Sequence, residues 1–258
     1  MIPPSLETAS GKEVGLFTAT GPTGNGKTTL MTLVACLLNH SDHKPDPLTD
    51  RIVFVDMSQI IVWGRKLDTE LGEIVRGHQP LMDAGGFLPD DAAEPLFLTW
   101  REWALEHYAN VETFLGAGFP RTKLQSEKFL APFRRHAVVY TVASYLRVAK
   151  AILQRQRKTS TSERRSDDEG GELVVKRKWQ EFLDHTEPAI QSLNGYALHL
   201  DYEDGLSCRL NQIFRHLEKL GLESPVKQSL VKRAIFRLKD PAHPIHQKIR
   251  AIEGPATA

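Results

Sequence analysis

Gly21-Pro22-Thr23-Gly24-Asn25-Gly26-Lys27-Thr28-Thr29 is the stretch from which the fold can be read. It follows a short apolar run, Val14 to Thr18, and opens a helical one, Leu30 to Asn39. That strand-turn-helix context is where the spacing G-x-x-x-x-G-K-[ST] carries meaning. Successive backbone N–H groups must converge on an anion, and Gly21, Gly24 and Gly26 permit the close approach and unusual dihedrals this requires. The start of the following helix adds positive potential. Lys27 brings a point charge to the β- and γ-phosphates, and Thr28 brings a hydroxyl to Mg²⁺. With Thr23, Asn25 and Thr29 completing the loop, the stretch reads as a seat for the phosphates of ATP.

Working outward, apolar and β-favouring runs recur at Val14 to Thr18, Ile52 to Val55, Val111 to Leu115, Ala137 to Val142 and Tyr196 to Leu200, with helical patterns between them. This alternation predicts an α/β protein of the P-loop NTPase fold, a five-stranded parallel sheet flanked by helices. Ligands are expected in the crevice beyond the carboxyl ends of the strands. Ser58 to Asn110 is too long for a simple crossover and reads as an inserted subdomain. Gln154 to Gly171 is polar, almost without apolar residues, and reads either as a lid or as an ordinary solvated loop. Past Leu217, Ser224-Pro225 opens a helix ending near Asp240-Pro241. Its Lys227, Lys232, Arg233, Arg237 and Lys239 form a solvated face over Val231, Ile235 and Leu238, or a surface for an anionic or protein partner.

A chain of 258 residues with 41% hydrophobic content buries one sizeable core, so one main domain is expected. Lys and Arg number 33 against 32 Asp and Glu, which leaves no overall basic field for nucleic acid. Cys36 and Cys208 lie far apart without metal-ligand spacing and read as thiols in a reducing compartment. No apolar run approaches the roughly 18 residues of a membrane span, and Met1 to Glu13 lacks the pattern of a secretory leader. A cytoplasmic monomer with no nucleic-acid or membrane partner is expected.

Phe114-Leu115-Gly116-Ala117-Gly118-Phe119-Pro120-Arg121-Thr122, read as following the third strand, resembles the D-G-F-P-R-T signature of adenylate kinases. The likeness continues through Glu70-Leu71-Gly72, Asp83-Ala84-Gly85 and Leu88-Pro89-Asp90, then through Arg165-Ser166-Asp167-Asp168, Lys178, Thr186 and Pro188. It implies a nucleoside monophosphate kinase of the short-lid type over 1–217, with an acceptor-binding insertion at 58–90 and a lid at 155–171. Residues 218–258 fall outside it as a C-terminal helical extension. The activity implied is phosphoryl transfer from ATP to a nucleoside monophosphate, AMP, with Mg²⁺ as cofactor. Lys27, Arg121, Arg155, Arg165 and Lys178 are implied as the cations around the transferred group, with Arg177 an alternative to Lys178. Asp167 and Asp168 resemble the acidic pair that steadies the lid arginines. Gly118, Arg121 and Gln125 are implied at the acceptor, Arg121 gripping its phosphate as a planar fork and Gln125 reading its base.

The chain departs from that pattern at two places. Ala117 stands where the family carries an aspartate that keeps water on Mg²⁺, and Asp56-Met57-Ser58-Gln59-Ile60-Ile61-Val62 stands where it carries S-T-G-D-x-x-R. Arg65, one helical turn past Val62, becomes the candidate for the acceptor phosphate. Asp56, at a strand end, joins Thr28 as the candidate for the metal. Two functions follow: a kinase with a rearranged metal site, or a weak or inactive ATP- and AMP-binding module that opens and closes around nucleotide to engage a partner.

Overall fold

Leu16 and Phe17 are neighbours on the first strand, both are 0% exposed, and they belong to different cores. Phe114 and Leu115, and Val138 and Val139, divide in the same way. A strand sends successive side chains to opposite faces, so a sheet of such strands must be covered on both.

The computed structural model describes residues 13–39, 50–156, 171–193 and 197–253, the side chains of 155 and 156 excepted. In chain order these form β1 (Gly15–Thr20), α1 (Lys27–Asn39), β2 (Ile52–Asp56), α2 (Met57–Gly64), α3 (Glu70–Gly77), α4 (Gln79–Asp83), α5 (Asp90–His107), β3 (Thr113–Ala117), α6 (Lys123–Leu130), β4 (His136–Val142), α7 (Tyr145–Gln156) and α8 (Gly171–Glu181). A π-helical turn (Phe182–Thr186) leads into α9 (Glu187–Ser192), followed by β5 (Ala197–Asp201), α10 (Leu206–Lys219), α11 (Gln228–Lys239) and α12 (Ile245–Glu253). Among the described residues the strands make one parallel, five-stranded sheet in the order β2-β3-β1-β4-β5. This is the α/β P-loop fold. β1 is central; the chain passes first to the edge at β2, returns to β3 beside β1, then continues to β4 and β5 on the other side, so the crevice at the carboxyl ends opens where β1 runs into Gly21.

The five strands lie where the apolar runs put them, with one consequential shift. The third begins two residues late and ends at Ala117, because Gly116 and Ala117 are buried as its last rungs. Ala117 therefore belongs to the sheet, not to a loop after it.

One face of the sheet is covered by α1, α10, α11 and α12, with an aliphatic core that includes Leu37, Ile213, Leu217, Val231, Leu238 and Ile249. The segment read as a C-terminal extension is thus part of the main core. Ser224 is extended and the helix begins at Gln228, while the Pro225 carbonyl accepts a hydrogen bond from Thr113 Oγ1 at 2.7 Å. A Cβ on Gly15 would sit 2.3 Å from that same carbonyl oxygen, so only glycine fits beneath it.

The other face carries α2 to α5, from Met57 to His107, nearly the whole of the stretch 58–110 read as an insertion. Its core is aromatic: Phe97 stacks on Phe129 with centroids 4.2 Å apart, and Trp100 meets Phe114 at 5.3 Å. Emptying the Phe97 position to Ala would cost about 3–5 kcal/mol by the cavity rule. The proposed lid falls between α7 and α8, and its Arg165, Asp167 and Asp168 lie outside the described residues. No helix among the described residues is long and apolar enough to cross a membrane.

Candidate active site

The phosphate loop takes the form its glycines allow. Gly21, Gly24 and Gly26 have φ of 133°, 82° and 69°, in the region side chains resist. At Gly21 a Cβ would also meet the Thr141 carbonyl oxygen at 2.5 Å. Asn25 is 1% exposed and its Nδ2 donates to the Thr141 carbonyl at 2.8 Å, so its side chain pins the loop to β4. Lys27 opens α1 and folds over the loop, its Nζ donating to the carbonyls of Pro22 at 2.7 Å and Gly21 at 3.0 Å. Thr23 and Thr29 lie half-buried along the same turn.

Thr28 and Asp56, both expected at a metal, are brought together: the Thr28 hydroxyl donates to Asp56 Oδ2 at 2.9 Å. The other oxygen of Asp56 caps α2, accepting from the Ser58 N–H at 2.9 Å and the Ser58 hydroxyl at 2.6 Å. A hydroxyl and a carboxylate are hard oxygen ligands of the kind Mg²⁺ takes, usually alongside phosphates and water. Ala117 is the direct sheet neighbour of Asp56 and is 0% exposed. The missing carboxylate of one strand end is thus matched by a carboxylate at the next.

A cavity of about 410 Å³ opens beyond Asp56, and the residues that follow it, Met57 and Ser58, line the wall. Arg65 and Arg121, both assigned to the acceptor phosphate, line this one cavity, together with Ile61, Val62, Phe87 and Gln125. Arg65 Nη1 donates to Gln79 Oε1 at 2.5 Å, and Gln79 Nε2 to Asp83 Oδ1 at 2.6 Å. Arg121 Nε donates to the Gly118 carbonyl at 2.7 Å, and its guanidinium lies 4.2 Å from the Phe87 ring centroid. Gly118, with φ of 83°, makes the turn that returns this carbonyl to the arginine. Gln125 is 4% exposed and engaged at both ends: Oε1 accepts from the Arg121 N–H at 2.9 Å, and Nε2 donates to Asp90 Oδ1 at 2.8 Å. Only one amide hydrogen lies outside these bonds. The loop itself is stitched to β1, where Thr20 Oγ1 donates to the Pro120 carbonyl at 2.5 Å and the Gly118 N–H to the Ala19 carbonyl at 2.9 Å.

On the opposite side of the phosphate loop stands a group that sequence reading missed. Tyr202 lies 3.5 Å from where a Gly26 Cβ would be, and its ring centroid is 4.0 Å from the Arg147 guanidinium and 4.8 Å from that of Arg209. Burial pushes the Arg209 pKa down, and Arg147 adds to the effect against the opposing pull of Tyr202, Glu253 and Asp204. Arg147 Nε and Arg209 Nε and Nη1 are buried without a hydrogen-bond partner among the described residues. Nothing in the spacing of 147, 202 and 209 announces this cluster; it forms only because β4 and β5 are adjacent. Lys178, expected among the phosphate cations, is 4% exposed on α8, where its stem passes 3.5 Å from a Cβ built on Gly85 of the insertion. Arg155 lies near the end of α7, its side chain outside the described residues.

No protein-family model matches the chain, and no curated protein matches it. Solved structures that resemble it include a gluconokinase from Sinorhizobium meliloti 1021, 12% identical over 94% of this chain and 97% of that one, with a TM-score of 0.45. A sugar kinase from Janibacter sp. HTCC2649 is 14% identical over 83% and 99%, TM-score 0.47. The sulfotransferase domain from the curacin biosynthetic pathway is 12% identical over 86% and 78%, TM-score 0.45. Values this low describe a likeness in outline, and the chemistry rests on the residues themselves.

Proposed function

We propose that the chain transfers the terminal phosphoryl group of ATP to a nucleoside monophosphate, AMP in the first place, in the manner of the adenylate kinases its sequence resembles. The observation that carries this reading is Asp56. One of its oxygens meets Thr28 of the phosphate loop, and the other caps the helix whose first residues line the arginine-bearing cavity. Donor and acceptor sites thus share a wall, as transfer between two bound nucleotides requires.

In this reading the loop N–H groups and Lys27 hold the β- and γ-phosphates, and Arg147 and Tyr202 offer a flat surface to the donor base. Arg121 and Arg65 hold the acceptor phosphate. An oxygen of that phosphate attacks the γ-phosphorus, the bond from phosphorus to the β,γ-bridging oxygen breaks, and ADP leaves with a nucleoside diphosphate as the second product. Thr28 and Asp56 would hold Mg²⁺, which spreads charge across the phosphates when bound. The free hydrogen of Gln125 Nε2 is the group left to meet an acceptor atom on adenine. The apolar wall of Ile61, Val62 and Phe87 suits a base.

The test is ADP release with ATP, Mg²⁺ and a panel of monophosphates. AMP is expected to outrun CMP and UMP in kcat/KM, and Arg121→Ala to abolish measurable transfer. CMP or UMP ahead of AMP would overturn the acceptor, and ATP binding without any acceptor-dependent ADP would favour the second reading. That second reading, a nucleotide-binding module with little transfer, is supported by Ala117 alone.

A further inference from the structure

Resting on the acceptor reading just given, we propose that Asp90 is a positioning residue for Arg121, acting through Gln125 and Thr122. Asp90 is the first residue of α5 and belongs to the insertion, whereas Arg121 follows β3. Its Oδ1 accepts from Gln125 Nε2 at 2.8 Å and its Oδ2 from the Thr122 hydroxyl at 2.7 Å. Gln125 Oε1 then accepts from the Arg121 N–H at 2.9 Å, and Thr122 Oγ1 caps α6 by accepting from the Gln125 N–H at 3.1 Å.

The chain of bonds has a direction. The main-chain N–H of Arg121 can only donate, so the oxygen of Gln125 must face it and the NH₂ must face Asp90. The terminal residue has to accept twice, from an amide and from a hydroxyl, which a carboxylate does and an asparagine does not. Phe87, three residues earlier in the insertion, covers the guanidinium of the same arginine. The insertion therefore sets both the backbone and the charged end of Arg121.

Coulomb's law and this bracing role predict opposite signs for Asp90→Asn. Removing a negative charge beside an arginine that binds phosphate should tighten monophosphate binding if charge alone counts. Breaking the brace should lower kcat/KM for AMP by about tenfold to a hundredfold, the loss of one charged hydrogen bond or more. ATP affinity should stay within about twofold, because the phosphate loop is not touched. The decisive variant is the reversal Asp90→Asn with Gln125→Glu. The carboxylate introduced at position 125 accepts from the Arg121 N–H and from the amide NH₂ introduced at position 90, whose oxygen accepts from Thr122. Every bond is then restored, with the polarity between positions 90 and 125 reversed.

The experiment compares the parent, Asp90→Asn, Gln125→Glu and the double variant by ADP release with AMP and with CMP, and by hydrogen exchange at the Arg121 amide. Both single variants are expected to lose activity and protection, and the double to regain protection and CMP transfer, while AMP falls to the level of CMP because Gln125→Glu removes the Nε2 hydrogen assigned to adenine. A double variant no better than the singles in amide protection and CMP transfer, or an Asp90→Asn protein equal to or better than the parent, would overturn the proposal. Exchange that follows this pattern in a parent showing no monophosphate transfer would uphold the brace and sink the acceptor reading instead.

Discussion

The two halves of the site are built in different ways. The phosphate seat of the donor half is a single uninterrupted turn shaped by its backbone: Gly21, Gly24 and Gly26 take positive φ, and the side chains of Asn25 and Lys27 bond to backbone carbonyls. The acceptor half is an assembly. Arg65 comes from the end of α2, Phe87 and Asp90 from the approach to α5, Arg121 from the turn after β3 and Gln125 from α6; Phe87 meets Arg121 and Asp90 meets Gln125 side chain to side chain, and Gln125 holds the Arg121 main chain. A seat made of backbone tolerates changes nearby, whereas an assembly is only as well placed as each of its bonds.

The harshest test of this contrast is Asp56, the residue common to both halves. Asp56→Asn is expected to lower kcat by about a hundredfold, on the order of 3 kcal/mol, if it has taken over the metal role of the family aspartate. Ala117→Asp is expected to bring no gain. Its carboxylate would enter a fully buried position on the adjoining strand, about 4.8 Å from Asp56 by strand spacing, and like charges so close oppose ionisation. A rise in kcat with Ala117→Asp and little change with Asp56→Asn would instead mark a degraded metal site.

Lys27→Ala separates the halves. ATP should bind roughly thirtyfold more weakly, about 2 kcal/mol for a charged contact to phosphate, with AMP affinity changed by less than about twofold. Calorimetry with each nucleotide alone decides it, and unchanged ATP affinity would remove the donor assignment.

The smallest effect belongs to the far end of the sheet. Burial pushes the Glu112 carboxyl up, but hydrogen bonds and charge from Arg51 and Lys227 outweigh it and hold its pKa below the ordinary 4.5. Because the folded value is depressed, the group's stabilisation is complete above that ordinary value and disappears as pH falls through the folded one. Glu112→Gln should cost less than about 1 kcal/mol at neutral pH, as partly exposed ion pairs do, and the Tm gap from the parent should close in acid. Nucleotide binding should be indifferent to it. A change in ATP or AMP affinity would show that the sheet transmits strain to its carboxyl ends.

The same contrast governs what could be read from the sequence. The donor loop was legible because its geometry is local: the glycines, Lys27 and Thr28 mean what they mean within one turn. The strands were legible because burial on both faces leaves unbroken apolar runs. Arg65 and Arg121 were legible as residues, one from helical spacing and one from the adenylate kinase resemblance. Asp90 was visible only as part of that resemblance, since its partner Gln125 is 35 residues away and no spacing rule joins them. The group at Tyr202 was hidden for the same reason. The boundary drawn at 217 followed the extent of the resemblance, while the apolar positions Leu230, Val231, Ala234 and Leu238 recorded a helix without recording what it packs on.

The meeting of Gly15 with Pro225 has a consequence for the order in which the molecule is made. α1, which carries Lys27 and Thr28, is synthesised well before α11, which packs against it. The phosphate loop is thus written early and supported late. Until α10 and α11 arrive, the apolar side of α1 has no permanent cover, a condition in which growing chains associate wrongly. A chain cut after Leu217 would keep every residue of the nucleotide site and lose α11 and α12 from the wall behind it.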